Sequence, residues 1–112
     1  EAEGEPALSL TLAYLPNVEV QAFYVSANDL PDLDSPPDAW SELIGVPVAS
    51  QPNFVVLADP FSSRINDLLQ GLDFAYSGAP KVGGLASSGI GGSATGLFCN
   101  HRFYREGAVG VA

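Results

Sequence analysis

The chain has 112 residues, which bounds it to one domain with a modest core. It is 46% hydrophobic and only 15% charged, with 12 Gly and 9 Pro, a composition of packed strands and loops rather than of a disordered segment. The net charge is −9, and residues 1–60 carry ten acids and no Lys or Arg, while Arg64, Lys81, Arg102 and Arg105 all lie in the second half. Such a chain lacks the clustered cations that nucleic acid requires, and it lacks the basic amphipathic face of a membrane-surface helix. Its one cysteine, Cys99, rules out a disulfide framework and fits a reducing compartment. No apolar run is long enough to span a bilayer, and no signal or transit peptide stands at the N-terminus.

In chain order, "ALSLTLAYL" (7–15) alternates, with Leu8, Leu10, Leu12 and Tyr14 on one side, and predicts a half-buried strand. Pro16-Asn17 signals a turn, and "VEVQAFYV" (18–25) predicts a second strand, so the two are expected to form a hairpin. An acidic loop follows over 26–37. "DAWSELIG" (38–45) then predicts a short helix whose apolar face is Trp40, Leu43 and Ile44, with Pro36-Pro37 at its start. "NFVVLAD" (53–59) is a continuous apolar run, expected as a central strand buried on both faces. Asp59-Pro60 is expected to open the long helix as N-cap and first position. Ile65, Leu68, Leu69, Leu72, Ala75 and Tyr76 form its apolar stripe, and Gly78 is its expected stop. Lys81-Val82 begins a short strand. "TGLFCN" (95–100) and "GAVGVA" (107–112) predict two more, with "HRFYRE" (101–106) turning between them. Together these elements predict an α/β or α+β domain, a mixed β-sheet with one long and one short helix.

The glycine-rich stretch "PKVGGLASSGIGGSATG" (80–96) is the most distinctive segment. Gly89, Gly91 and Ala94 match G-x-G-x-x-A, but a dinucleotide loop must lead into a helix, and the β-like "SATGLFCN" follows instead. No Gly-Lys-Ser/Thr exists for a P-loop. What remains is a backbone that approaches a neighbouring strand or a small ligand at Gly83-Gly84, or a plain connection without a ligand. Cys99 and His101 share a face if their strand is regular, but one Cys and one His fall short of a nucleophilic triad or a zinc site. Asp59, Asp67 and Asp73 read as cap and helix-surface residues. Arg102 and Arg105 flank a hairpin tip, which is solvated or clamps a carboxylate.

Residues 53–89, "NFVVLADPFSSRINDLLQGLDFAYSGAPKVGGLASSG", resemble the FIST N-terminal domain, with its Asp-Pro opening, its "LL..LD..YPG" helix and its "PVVGGLASG" motif. The ending "REGAVGVA" and the opening "GEPALSLTLAYLPNVEV" resemble the same family, so the likeness covers nearly the whole chain. Ser77 departs from the family's usual Pro, and the family's preceding strands with their "GCS" motif have no counterpart, so the chain is expected to be the second, C-terminal part of one such domain, with both ends cut. The resemblance implies an intracellular sensory module, cytoplasmic or of the chloroplast stroma, that binds a small molecule such as an amino acid or other protein chains. It implies no cofactor, no metal and no catalytic residue. Gly83, Gly84, Leu85, Ala86 and Ser87 match the family's glycine-pair motif, and with Ser88 they are the expected ligand-binding residues. The alternatives are a structural or assembly-factor subunit docked on a larger, photosynthetic complex, and a hydrolase using Cys99 or a loop serine.

Overall fold

The computed structural model describes residues 5–62, 64–87 and 95–112. Six strands and two helices follow one another, with β1 at Ala22–Val25, α1 at Pro37–Ile44, β2 at Phe54–Ala58, α2 at Ile65–Ala75, β3 at Lys81–Leu85, β4 at Leu97–Cys99, β5 at Arg102–Tyr104 and β6 at Ala108–Val111. Four strands make a mixed sheet in the order β1-β6-β2-β3, and β4-β5 is a separate antiparallel hairpin. β6 runs antiparallel to both β1 and β2, whereas β2 and β3 are parallel and joined through α2. This βαβ unit is the element order that the apolar run, helical stripe and second short strand predict.

Both helices lie on one face of the sheet. Phe23, Val25, Phe54, Val56, Ala58 and Ala108 point from the strands into a core completed by Trp40 and Ile44 of α1 and by Leu68, Leu72, Ala75 and Tyr76 from α2 and its end. Helical spacing accounts for this, since the residues three and four apart on each helix turn to one side. α1 begins with Pro37, which needs no N–H in a first turn, and ends at Gly45, whose N–H donates to Ser41 O at 2.8 Å. Trp40 is wholly buried, and the benzenoid edge of its ring takes up the space a side chain at Gly71 would need, a built Cβ lying 2.0 Å from it. Tyr76 ties the end of α2 to the segment before β2 by donating its hydroxyl to Val46 O at 2.6 Å, and burial raises its pKa.

Four expectations are corrected. Residues 7–15 form no strand and pair with nothing among the described residues; the turn at Leu15–Val18 exists, but the second strand is confined to Ala22–Val25 and pairs with β6. β2 is central in the sheet yet buried on one face only, with Val55 and Leu57 each 48% exposed. An apolar run reports what a strand can bury, not whether a layer covers it. Asp59 does not cap α2, which starts six residues later with no side-chain cap. Residues 101–106 hold a strand, because Asn100 and His101, both with positive φ, make a turn tight enough for β5 to pair with β4. That hairpin covers the outer sheet face beside β6, where Leu97 and Val109 are buried and Tyr104 stacks on Tyr24 with centroids 3.6 Å apart.

Leu72→Ala should lower stability by about 2–5 kcal/mol, as for a buried leucine. Leu69, half-buried on the flank of α2, should cost about half as much when truncated, in proportion to the apolar area it hides. Urea unfolding of the two variants checks the difference.

Candidate functional site

β3 is an edge strand, and α2 lies obliquely above it. Between them runs an open groove of about 360 Å³, lined by Ile65, Asn66 and Leu69 from the helix and by Lys81 to Leu85 from the strand, with Val56 beneath. Its lining is apolar except for the Asn66 amide, the Lys81 head and the strand's own backbone. Lys81 closes one end. Its Nζ lies 2.6 Å from Asp73 Oδ1 and donates to Ala79 O at 2.7 Å, with the Phe54 ring 6.0 Å away. The ion pair thereby joins the start of β3 to the C-terminal half of α2.

The two glycines differ. In register with Val56, Gly83 comes so close that a Cβ built on it would stand 1.7 Å from Val56 O, a distance no side chain allows. Gly84 has open space where its Cβ would lie, so the expectation of close approach holds for the first glycine and not for the second. Of the expected ligand-binding residues, Gly83, Gly84 and Leu85 line the groove. Ala86 continues the strand by donating to Ala58 O at 2.8 Å, and Ser87 is exposed beyond it. Ser88 lies outside the described residues, as do Gly89 to Ala94.

At the C-terminal end of β2, beside this groove, Asp59 is only 5% exposed. Its Oδ2 accepts the Ser62 backbone N–H at 2.8 Å and the Ser62 hydroxyl, and its Oδ1 accepts the Thr95 hydroxyl at 2.8 Å. The Asp59 N–H donates to Gly107 O at 2.9 Å, and the Gly107 N–H donates back to Ser62 Oγ at 2.9 Å. The carboxylate therefore fastens the segment that follows β2 to the one that precedes β4, and the Asp59 N–H with the Ser62 hydroxyl adds the segment that precedes β6. The Ser62 hydroxyl is the main cause holding its pKa below the usual carboxylate range, against the opposing effect of burial and with help from Thr95 and the Ser62 and Phe61 N–H groups. Sequence reading placed Asp59 at a cap, which is the right chemistry on a turn rather than on the helix. Its partners Thr95 and Gly107 are 36 and 48 residues away, and no local pattern announces them.

The other candidate residues do not converge. Cys99 is half-buried in β4, and His101 is exposed in the turn after it. Asp67 pairs with Arg64 at 2.7 Å on the helix surface. Arg105 lies over the Phe103 ring at 5.3 Å. Among the described residues no three His, Cys, Asp or Glu side chains come together as a metal site, and no helix is long and apolar enough to cross a membrane.

The chain matches the FIST N domain over residues 2–112 and belongs to that family of sensory and signal-transduction domains. Neither the curated proteins nor the solved structures give a match.

The lowered pKa of Asp59 makes a signed prediction. A carboxyl that ionises more easily in the folded state stabilises the fold above the unfolded pKa of about 3.9, and this contribution disappears as pH falls through the folded value. Asp59→Asn should cost about 1–3 kcal/mol at neutral pH, because buried donors lose their acceptor. The gap between parent and variant should narrow below about pH 4. Denaturant midpoints measured across that range check it.

Proposed function

We propose that the protein is a non-catalytic sensory module that takes a small molecule into the groove between β3 and α2. The observation that carries this reading is the coincidence of two independent features: the groove lies along the strand that holds the family's glycine pair, and it opens near the carboxyl ends of the parallel strands β2 and β3. Ligands of open α/β sheets gather at those ends because the loops there diverge and leave a crevice. The lining suits a compact ligand with an apolar body and a few polar groups, such as an amino acid. Ile65, Leu69 and Leu85 would take the body, while the Asn66 amide and the bare backbone of Gly83 and Gly84 would take the polar groups. Ala86 and Ser87 follow the strand at its carboxyl end, and with Ser88 they complete the proposed ligand-binding set. A second reading, contact with other protein chains, is favoured by the apolar side chains left exposed at Leu8, Leu10, Leu12, Val55 and Leu57.

Titration of ¹⁵N-labelled protein with each of the free amino acids, followed by amide NMR shifts, tests the sensing reading. At least one should shift Asn66, Gly83, Gly84 and Leu85 in a saturable way. Asn66→Trp changes an exposed residue at the groove and should abolish the response without lowering the melting temperature. Shifts confined to other residues, or none with any amino acid, would refute the proposal.

A further inference from the structure

The chain carries two features that fit each other and are both unused. The first is an arm. Residues 7–15 contain no charge, no Gly and no Pro, and they show the period-two leucines of a strand without being one. Leu8, Leu10, Leu12 and Tyr14 are 82, 74, 93 and 90% exposed. An uncharged segment with alternating apolar side chains and no Gly or Pro pairs readily with a strand edge. The second feature is the free edge of β3, which no described strand covers. Phe54 N–H donates to Pro80 O and Ala86 N–H donates to Ala58 O, so the alternation of a parallel ladder turns the even-numbered groups of β3 toward β2. The N–H and C=O groups of Lys81, Gly83 and Leu85 then face outward, without a partner among the described residues. No proline interrupts residues 81–85, and their one charge stands at the first position, so the edge has little of the protection that natural edge strands usually carry.

We infer that residues 7–15 of one copy add as a strand to the β3 edge of a second copy, making a reciprocal dimer. The arm is long enough to cover the whole edge, since nine extended residues span about 30 Å and a five-residue strand about 17 Å. In the added strand the leucines at alternate positions form one face, which lies against Leu85 and Leu69 at the mouth of the groove. The occupant is another copy because the same chain supplies both halves. Within one chain the arm leads into β1, at the opposite edge of the sheet from β3, and it lies on neither edge. Two copies exchange arms in both directions, which satisfies both edges and closes the assembly as a twofold dimer. The pairing is β-strand addition, in which main-chain bonds supply affinity and alternate side chains supply register. It does not rest on ligand sensing, and the experiment contains no ligand.

Light scattering coupled to size exclusion, on the full chain across a range of concentrations, should show a dimer. Leu10→Asp with Leu12→Asp should give a monomer, because the added strand would carry two charges on its apolar face. Leu85→Asp, at an exposed position of the edge, should do the same. A labelled peptide of residues 6–16 should bind the Leu10/Leu12 variant, and at least about tenfold more weakly the Leu85→Asp chain, a loss of at least 1.4 kcal/mol. This second measurement keeps the test decisive if either variant is poorly folded in the first. A parent that is monomeric throughout would overturn the inference. So would a dimer that survives Leu85→Asp, which would mean arm-to-arm pairing or another face, and so would a peptide that binds both variants equally.

Discussion

β3 can lie beside β2 in its observed register only because residue 83 has no side chain. The carbonyl of Val56 occupies the volume a Cβ at Gly83 would need. Much follows from that one contact. It brings the third ladder of the sheet into place and leaves β3 as an edge. It also puts a strand with little side-chain bulk beneath the flank of α2. A bulkier residue at 83 would have to push β3 outward, and the groove between strand and helix would lose its floor. The glycine pair thus does two jobs with two residues. Gly83 allows the backbone approach, while Gly84 adds an unobstructed stretch of strand next to it.

A second close approach sets the layer above. Gly71 leaves α2 without a side chain where Trp40 crosses it, and the largest buried side chain of the protein fits against helix backbone there. A glycine in mid-helix costs about 1 kcal/mol against alanine, and here the close packing of the indole offsets it. Both helices are therefore held on one sheet face. The opposite face has only the β4-β5 hairpin, which reaches β6 and β1 and leaves Val55, Leu57 and Val82 bare among the described residues. One-sided covering explains at once why the core is compact, why β2 is apolar on its exposed face, and why the chain still has surface available for a partner. The Asp59 network completes the arrangement at the carboxyl end of β2. It gathers Ser62 after β2, Thr95 before β4 and Gly107 before β6 at one point beside the groove.

How much of this was legible depended on whether the determinant was local. α1 could be read from Pro37, Trp40 and Ile44, because helix entry and helical spacing are written within a few residues. β2, α2 and β3 were legible for the same reason, and so was the family through its glycine pair. The arm at 7–15 was misread because alternation specifies a strand's faces but not its partner, and a strand without a ladder does not form. Residues 101–106 were misread because Asn100 and His101 adopt the left-handed region that Gly usually signals. For the candidate site, the sequence pointed to the strand but not to the groove, since Ile65, Asn66 and Leu69 face it only once α2 has packed. Asp59 was misread as the cap of α2, since an Asp-Pro pair announces a capping carboxylate but not whether a turn or a helix follows it, and Thr95 and Gly107 could be joined to it only by the fold.

The central claim is that the two adjacent glycines of β3 are not equivalent, one being required by the sheet and the other free to face a ligand. The most direct measurement is the unfolding free energy of Gly83→Ala beside that of Gly84→Ala. Overpacking against the Val56 carbonyl should cost Gly83→Ala about 1–3 kcal/mol, whereas Gly84→Ala, with open space around it, should stay within about 0.5 kcal/mol of the parent. Equal losses at the two positions, or a larger loss at Gly84, would contradict the account.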